Sequence, residues 1–226
     1  MTRHPLFWLP NALTVLRCAM GGAVAALVYA IARHEMQLLG SAAFDNDMRV
    51  FHMTLASDFR TFWGGIAFLV FCIAAVTDFL DGYLARRWEV ESRFGRLLDP
   101  IADKIIVGLP LLVLAGMAGW PLAIALPVFA IIFRDVLITC LRFAGLGANV
   151  MSVRFIAKLK TFVEMILIAA LLLIMALSKG DNPLLPSYLT LWTITLWGTA
   201  ALSVYTGLGY VIGLFARTKP VTAPSE

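Results

Sequence analysis

The 226-residue chain is 61% hydrophobic and only 14% charged, with a mean hydropathy of +0.87. Those values exclude a soluble globular domain, leave no room for a large extramembrane domain, and describe a polytopic membrane protein. A formal charge of +4 suits a surface that attracts anionic lipid and phosphate ligands, with no nucleic-acid partner implied.

Apolar runs near residues 10 to 33, 62 to 86, 97 to 118, 120 to 146, 155 to 178 and 188 to 215 each reach the roughly 20 residues needed to cross a bilayer core. Six transmembrane helices are expected, in a single all-α catalytic domain over 1–217. A β-barrel is excluded, because no run alternates apolar and polar residues with period two. Ala30-Ile31-Ala32 resembles a signal-peptidase site, but Arg17 interrupts the apolar run before it, so no cleavage is expected.

Residues 34–60 form the longest piece between runs, expected as an extramembrane loop on the non-cytoplasmic side. Met48, Phe51, Leu55 and Phe59 recur there at helical spacing, which predicts a short amphipathic interfacial helix. His34, His52 and His4 have no partners at metal-ligand spacing. Gly119 and Pro121 punctuate the chain between the third and fourth runs, Gly145, Gly147 and Asn149 follow the fourth, and Gly180 to Pro186 precede the sixth. Cys18, Cys72 and Cys140 lie in different helices without CxxC spacing and read as buried reduced thiols. The tail 218–226, with Pro220 and Pro224, reads as disordered.

Arg3, Arg86, Arg87, Arg93, Arg96, Lys104, Arg142, Arg154, Lys158, Lys160, Arg217 and Lys219 fall on one side of a six-helix arrangement. Only Arg33, Arg49, Arg60 and Lys179 lie opposite. Positive residues near helix ends stay cytoplasmic, so both termini are expected on that side.

Between Thr77 and Lys104 the apolar sequence carries four aspartates, Asp78, Asp81, Asp99 and Asp103. Carboxylates in a membrane segment are costly unless some other chemistry compensates them, so this cluster marks an active site. Asp78, Asp81, Gly82 and Ala85 share one helical face. Asp99 and Asp103 are one turn apart on the next helix, with Gly95 a turn earlier. Two antiparallel helices joined by a short connection can aim all four carboxylates at one point. Oxygen-only ligation suits Mg²⁺ or Mn²⁺, and four carboxylates can hold two such ions; the absence of His and Cys argues against zinc. Small residues expose backbone on the same face and Arg86 adds a cation, which together describe a pyrophosphate or nucleotide site at the cytoplasmic surface.

Asp78-x-x-Asp81-Gly82-x-x-Ala85-Arg86, eight residues, then Gly95-x-x-x-Asp99-x-x-x-Asp103 resembles without a gap the signature of the CDP-alcohol phosphotransferases. The resemblance implies a six-helix homodimer, two metal ions, and transfer of a phosphatidyl or similar group from a CDP-linked donor to an alcohol with release of CMP. It implies that Asp78, Asp81 and Asp99 are metal ligands and that Asp103 is both ligand and general base. Gly82, Ala85, Arg86 and Gly95 would line the CDP pocket. Asn11, Thr14 and Arg17 resemble the family's N-terminal Asn-x-x-Thr-x-x-Arg element and lie within about a 120° arc of the first helix, able to reach the nucleotide.

Cations near the membrane surface in the fourth and fifth helices, Arg134, Arg142, Lys158 and Lys160, could bind an acceptor that already carries a phosphate. Arg134 is too deep to snorkel, and Asp135 is not expected to neutralise it, since adjacent residues point about 100° apart on a helix. The run Ala-Arg-Arg-Trp at 85 to 88, Leu98 to Lys104, the Leu141-Arg142 pair and Lys158-Leu159-Lys160-Thr161 are most similar to the phosphatidylglycerophosphate synthases of the family. That branch implies CDP-diacylglycerol as donor, glycerol 3-phosphate as acceptor, and a bacterial inner membrane. Asp135 and Ala157 depart from its usual Glu and Gly, and Arg-Asp is also seen in cardiolipin synthases, whose acceptor is phosphatidylglycerol. An inositol-phosphate acceptor and, in a different class, a cation transporter are the further alternatives.

Overall fold

The computed structural model describes residues 8–41, 46–88, 93–143, 154–179 and 185–215. They form six helices: α1 (Leu9–Ser41), α2 (Asn46–Trp88), α3 (Arg93–Met117), α4 (Leu122–Phe143), α5 (Arg154–Leu177) and α6 (Leu185–Phe215). No strand occurs among the described residues. The protein is an all-α polytopic membrane protein. By length and composition α1 to α5 each contain a stretch able to cross a bilayer. The 31 residues of α6 are long enough, but its many Thr, Ser, Gly, Tyr and Trp residues leave it outside that set.

Packing neighbours close into a ring, α1–α2–α5–α6–α4–α3 and back to α1, with α3 also touching α5 across the interior. Val28, Phe71, Ile106, Ile131, Leu172 and Leu196 lie in a core to which every helix contributes. The outer surface is apolar as well: Leu69, Phe133, Phe162 and Tyr205 are all exposed, as expected of a bundle whose surroundings are lipid. Polar groups point inward instead, with Thr14, Arg17, Asp135, Lys160, Glu164, Ser203 and Thr206 buried. α1 reaches α3 closely at Gly21, where a β-carbon would sit 3.0 Å from the backbone of Ile106.

The stretch 34–60 is not a loop holding a short helix. α1 continues to Ser41 and α2 starts at Asn46, so both simply run on, with only 42–45 between them lying outside the described residues. At 43 residues α2 extends about 65 Å, roughly twice the thickness of a bilayer core, so the apolar count of one span underestimates it. A polar clasp ties this end of the bundle. Arg60 meets Glu35 at 2.6 Å and donates to the Ser178 carbonyl at 2.8 Å, while His34 stacks on Phe59 with ring centroids 4.0 Å apart. No disulfide joins the three cysteines, and none is fully buried: Cys18 and Cys72 are half-buried and Cys140 is exposed.

The break between α3 and α4 falls where Gly119 and Pro121 forecast it. Trp120 there donates its backbone N–H to the Ala115 carbonyl at 2.9 Å and stacks its ring on Phe129. The break at Gly145 to Asn149, the start of the one at Gly180, and the tail 218–226 lie outside the described residues.

Candidate active site

Three helices build an acidic half-site. Asp78 ends the apolar stretch of α2, Asp103 lies one turn inside the apolar stretch of α3, and Arg17 is on α1 between them. Arg17 Nη1 sits 2.5 Å from Asp78 Oδ1 and 3.0 Å from Asp103 Oδ1, with the arginine buried and both carboxylates about one-third open. Thr14, one turn before Arg17, is also buried, and Asn11, a further turn back, is half-buried. Packing thus brings Arg17 of α1, expected at the nucleotide, to the aspartates and commits it to the two carboxylates.

Asp81, Gly82, Ala85 and Arg86 follow on α2, and Gly95 and Asp99 precede Asp103 on α3, but their side chains lie outside the described residues. Among the described residues no three His, Cys, Asp or Glu side chains gather as a metal site. The two described carboxylates nevertheless converge on a position taken by a single cationic nitrogen, and their donors are oxygen only. That donor set fits a hard divalent cation.

A basic half-site lies on the other side of α3. Asp135 of α4, a buried residue, collects three cations from three helices: Lys104 of α3 at 2.9 Å, its own neighbour Arg134 at 3.0 Å, and Lys160 of α5. Lys160 also meets Glu164 at 2.8 Å, one turn along α5. This corrects the expectation that Arg134 and Asp135 would point apart. The Cβ vectors do diverge, but an arginine is long enough to fold its guanidinium back over the adjacent carboxylate, and burial makes pairing preferable to an isolated charge.

α6 fixes the other side of Arg134. Arg134 Nη2 donates to Thr206 Oγ1 at 2.9 Å, and Thr206 in turn donates to backbone carbonyls of its own helix at Leu202 and Ser203. Next to it, Gly207 leaves the space occupied by the arginine stem: a β-carbon there would lie 2.8 Å from Arg134 Cγ.

Of the four cations expected to hold an acceptor phosphate, Arg134 and Lys160 come together, whereas the side chains of Arg142 and Lys158 lie outside the described residues. Lys160 is 1% exposed and already flanked by two carboxylates, so it serves the interior of the cluster rather than its rim. Sequence reasoning passes over Lys104 as a ligand-binding cation, and over Glu164, Thr206 and Gly207. Only Glu164 carries a usable signal, as an acid in an apolar helix four residues after Lys160.

A sequence profile described as CDP-alcohol phosphatidyltransferase matches residues 7–205. The chain belongs to this family. Among curated proteins it is 48% identical over 108 residues to the CDP-diacylglycerol--glycerol-3-phosphate 3-phosphatidyltransferase of Cereibacter sphaeroides, an alignment covering 47% of this chain and 49% of that one. It is 44% identical over 110 residues to the protein of the same name from Escherichia coli, covering 47% and 59%. The chain spans about half the length of the curated relatives it matches. In this family member, an acidic and a basic half-site are carried by consecutive residues of one helix, Asp103 and Lys104.

Proposed function

We propose that the protein transfers the phosphatidyl group of CDP-diacylglycerol to glycerol 3-phosphate, giving phosphatidylglycerophosphate and CMP. The observation that carries this reading is the adjacency of the two half-sites: a carboxylate able to take a proton from a hydroxyl stands beside cations able to hold a phosphate. An alcohol that already bears a phosphate satisfies both. The names of the two relatives support the same donor and acceptor.

In this mechanism Asp103 accepts the proton of the attacking acceptor hydroxyl. The oxygen forms a bond to the lipid-side phosphorus of CDP-diacylglycerol, and the bridging P–O bond breaks with its electron pair leaving on CMP. Arg17 holds the Asp103 and Asp78 carboxylates in register. Asn11, Thr14, Gly82, Ala85, Arg86 and Gly95 form the surface for the CDP moiety, and Arg134 with Arg142, Lys158 and the Lys160 network faces the acceptor phosphate. Asp78, Asp81, Asp99 and Asp103 would hold two divalent cations, Mg²⁺ or Mn²⁺, whose chemistry when bound is neutralisation of the pyrophosphate charge. The positive residues gathered at one end of the helices support a cytoplasmic-facing site in a bacterial inner membrane, and membership of the family supports a homodimer.

The test is CMP release by the purified protein with CDP-diacylglycerol across glycerol 3-phosphate, glycerol, phosphatidylglycerol and inositol phosphate. Divalent-dependent release that requires glycerol 3-phosphate is expected. Preference for phosphatidylglycerol would replace the acceptor with that of a cardiolipin synthase, and no release with any alcohol would return the carboxylates to an ion pathway.

A further inference from the structure

The three cations around Asp135 are not equivalent. Its Oδ1 takes Arg134 at 3.0 Å and also Lys160, and its Oδ2 takes Lys104 at 2.9 Å. Lys160 is locked by a second carboxylate, Glu164, and is 1% exposed. Arg134 is locked by Thr206 and by the fit of its stem against Gly207, and is 12% exposed. Lys104 is 33% exposed, the most open of the three. If it let go of Oδ2, Asp135 would still hold two cations and would not be stranded.

Around Asp135 three cations face two carboxylates, Asp135 and Glu164, so a phosphate that takes Lys104 from Oδ2 leaves no carboxylate of the cluster without a cation.

We propose that Lys104 is the movable member of the cluster and binds the acceptor's phosphate directly, leaving Asp135 Oδ2 to do so. Asp135 keeps Arg134 and Lys160 in place as the fixed wall of the pocket. The inference rests on the function proposed above for the identity of the acceptor. It adds a selection rule: Asp103 and Lys104 diverge by about 100° from one turn of α3, so a small alcohol phosphate can meet both through its two ends. An uncharged alcohol reaches only the first.

The experiment compares wild type, Lys104→Met and Lys104→Arg as full-length protein, with CMP release measured against glycerol 3-phosphate and against CDP-diacylglycerol, and with thermal midpoints confirming the fold. Lys104→Met is expected to raise the KM for glycerol 3-phosphate at least about tenfold while moving the CDP-diacylglycerol KM by less than about twofold, and Lys104→Arg to recover most of the loss. An unchanged glycerol 3-phosphate KM in Lys104→Met, or an equal rise for both substrates, overturns the assignment. Should the wild type release no CMP with glycerol 3-phosphate, the proposed function fails separately. Binding of inorganic phosphate to wild type and Lys104→Met then decides for Lys104: equal binding refutes it, and binding weakened about tenfold or more supports it.

Discussion

Gly207→Ala tests how α6 positions Arg134. The new β-carbon would lie 2.8 Å from Arg134 Cγ, 3.5 Å from Nε and 3.7 Å from Cδ. The first distance is below any tolerable contact, so something must shift. Cγ is not a free end, because the guanidinium beyond it is held by Asp135 at 3.0 Å and Thr206 at 2.9 Å, and its backbone belongs to α4, which packs on α6. Moving the helices apart costs about 1–3 kcal/mol, as overpacking usually does. Withdrawing the guanidinium instead sacrifices hydrogen bonds to a charged group, about 1.5–3 kcal/mol each. Replacing a helical glycine returns about 0.5–1 kcal/mol, so the net loss is of order 1–2 kcal/mol. That loss is one of folding free energy and should lower the thermal midpoint, while a displaced Arg134 guanidinium should raise the KM for glycerol 3-phosphate with that for CDP-diacylglycerol little changed. Gly198→Ala and Gly209→Ala are the controls, for a β-carbon at either meets nothing within 4 Å. The decisive assay is a double-mutant cycle. Arg134→Ala has no Cγ, so Gly207→Ala should add nothing in that background. A penalty that persists there, or no penalty in the wild type, refutes the reasoning.

Asp103→Asn should lower kcat by about 10²- to 10⁴-fold, as loss of a general base does, and Asp78→Asn should abolish turnover with the thermal midpoint retained; CMP release near the wild-type rate in either removes that residue from the chemistry. Arg17→Ala leaves Asp78 and Asp103 without their shared cation, so its thermal midpoint should fall, by less than a fully buried pair would cause because both carboxylates are partly open. Mg²⁺ or Mn²⁺ should recover that midpoint more than the wild type's, and failure to do so would mean that the carboxylates do not hold a divalent ion. At the other end of the bundle, Glu35→Gln weakens a partly exposed pair and should cost about 1 kcal/mol or less. Glu35 lies roughly 27 Å along α1 from Arg17, so neither KM should move; a changed KM would show that the two ends are coupled.

Sequence by itself determined the membrane class, because apolar runs of bilayer length have few other uses in a chain this hydrophobic. It also determined the acidic half-site. Helical periodicity fixes which residues share a face, so Asp78 and Asp103 could be assigned to one point, whereas Arg17, read as a nucleotide contact, is placed on those carboxylates only by the packing of α1. The stretch 34–60 reads as a loop because scattered charged and polar residues interrupt its apolar pattern, yet α1 runs on to Ser41 and α2 starts at Asn46, with apolar stretches that reach Leu38 and resume at Val50. The basic half-site is legible only as a set of cations, not as a structure. Lys104, Lys160 and Thr206 reach Asp135 and Arg134 from 31, 25 and 72 residues away, and no local spacing encodes those distances. Even the adjacent pair escapes, since the direction of a Cβ limits short side chains far more than it limits arginine. Which cation stays locked and which stays open depends on α6 and α5 closing around Arg134 and Lys160 while Lys104 remains at the rim, and only the packed bundle sets that difference in burial.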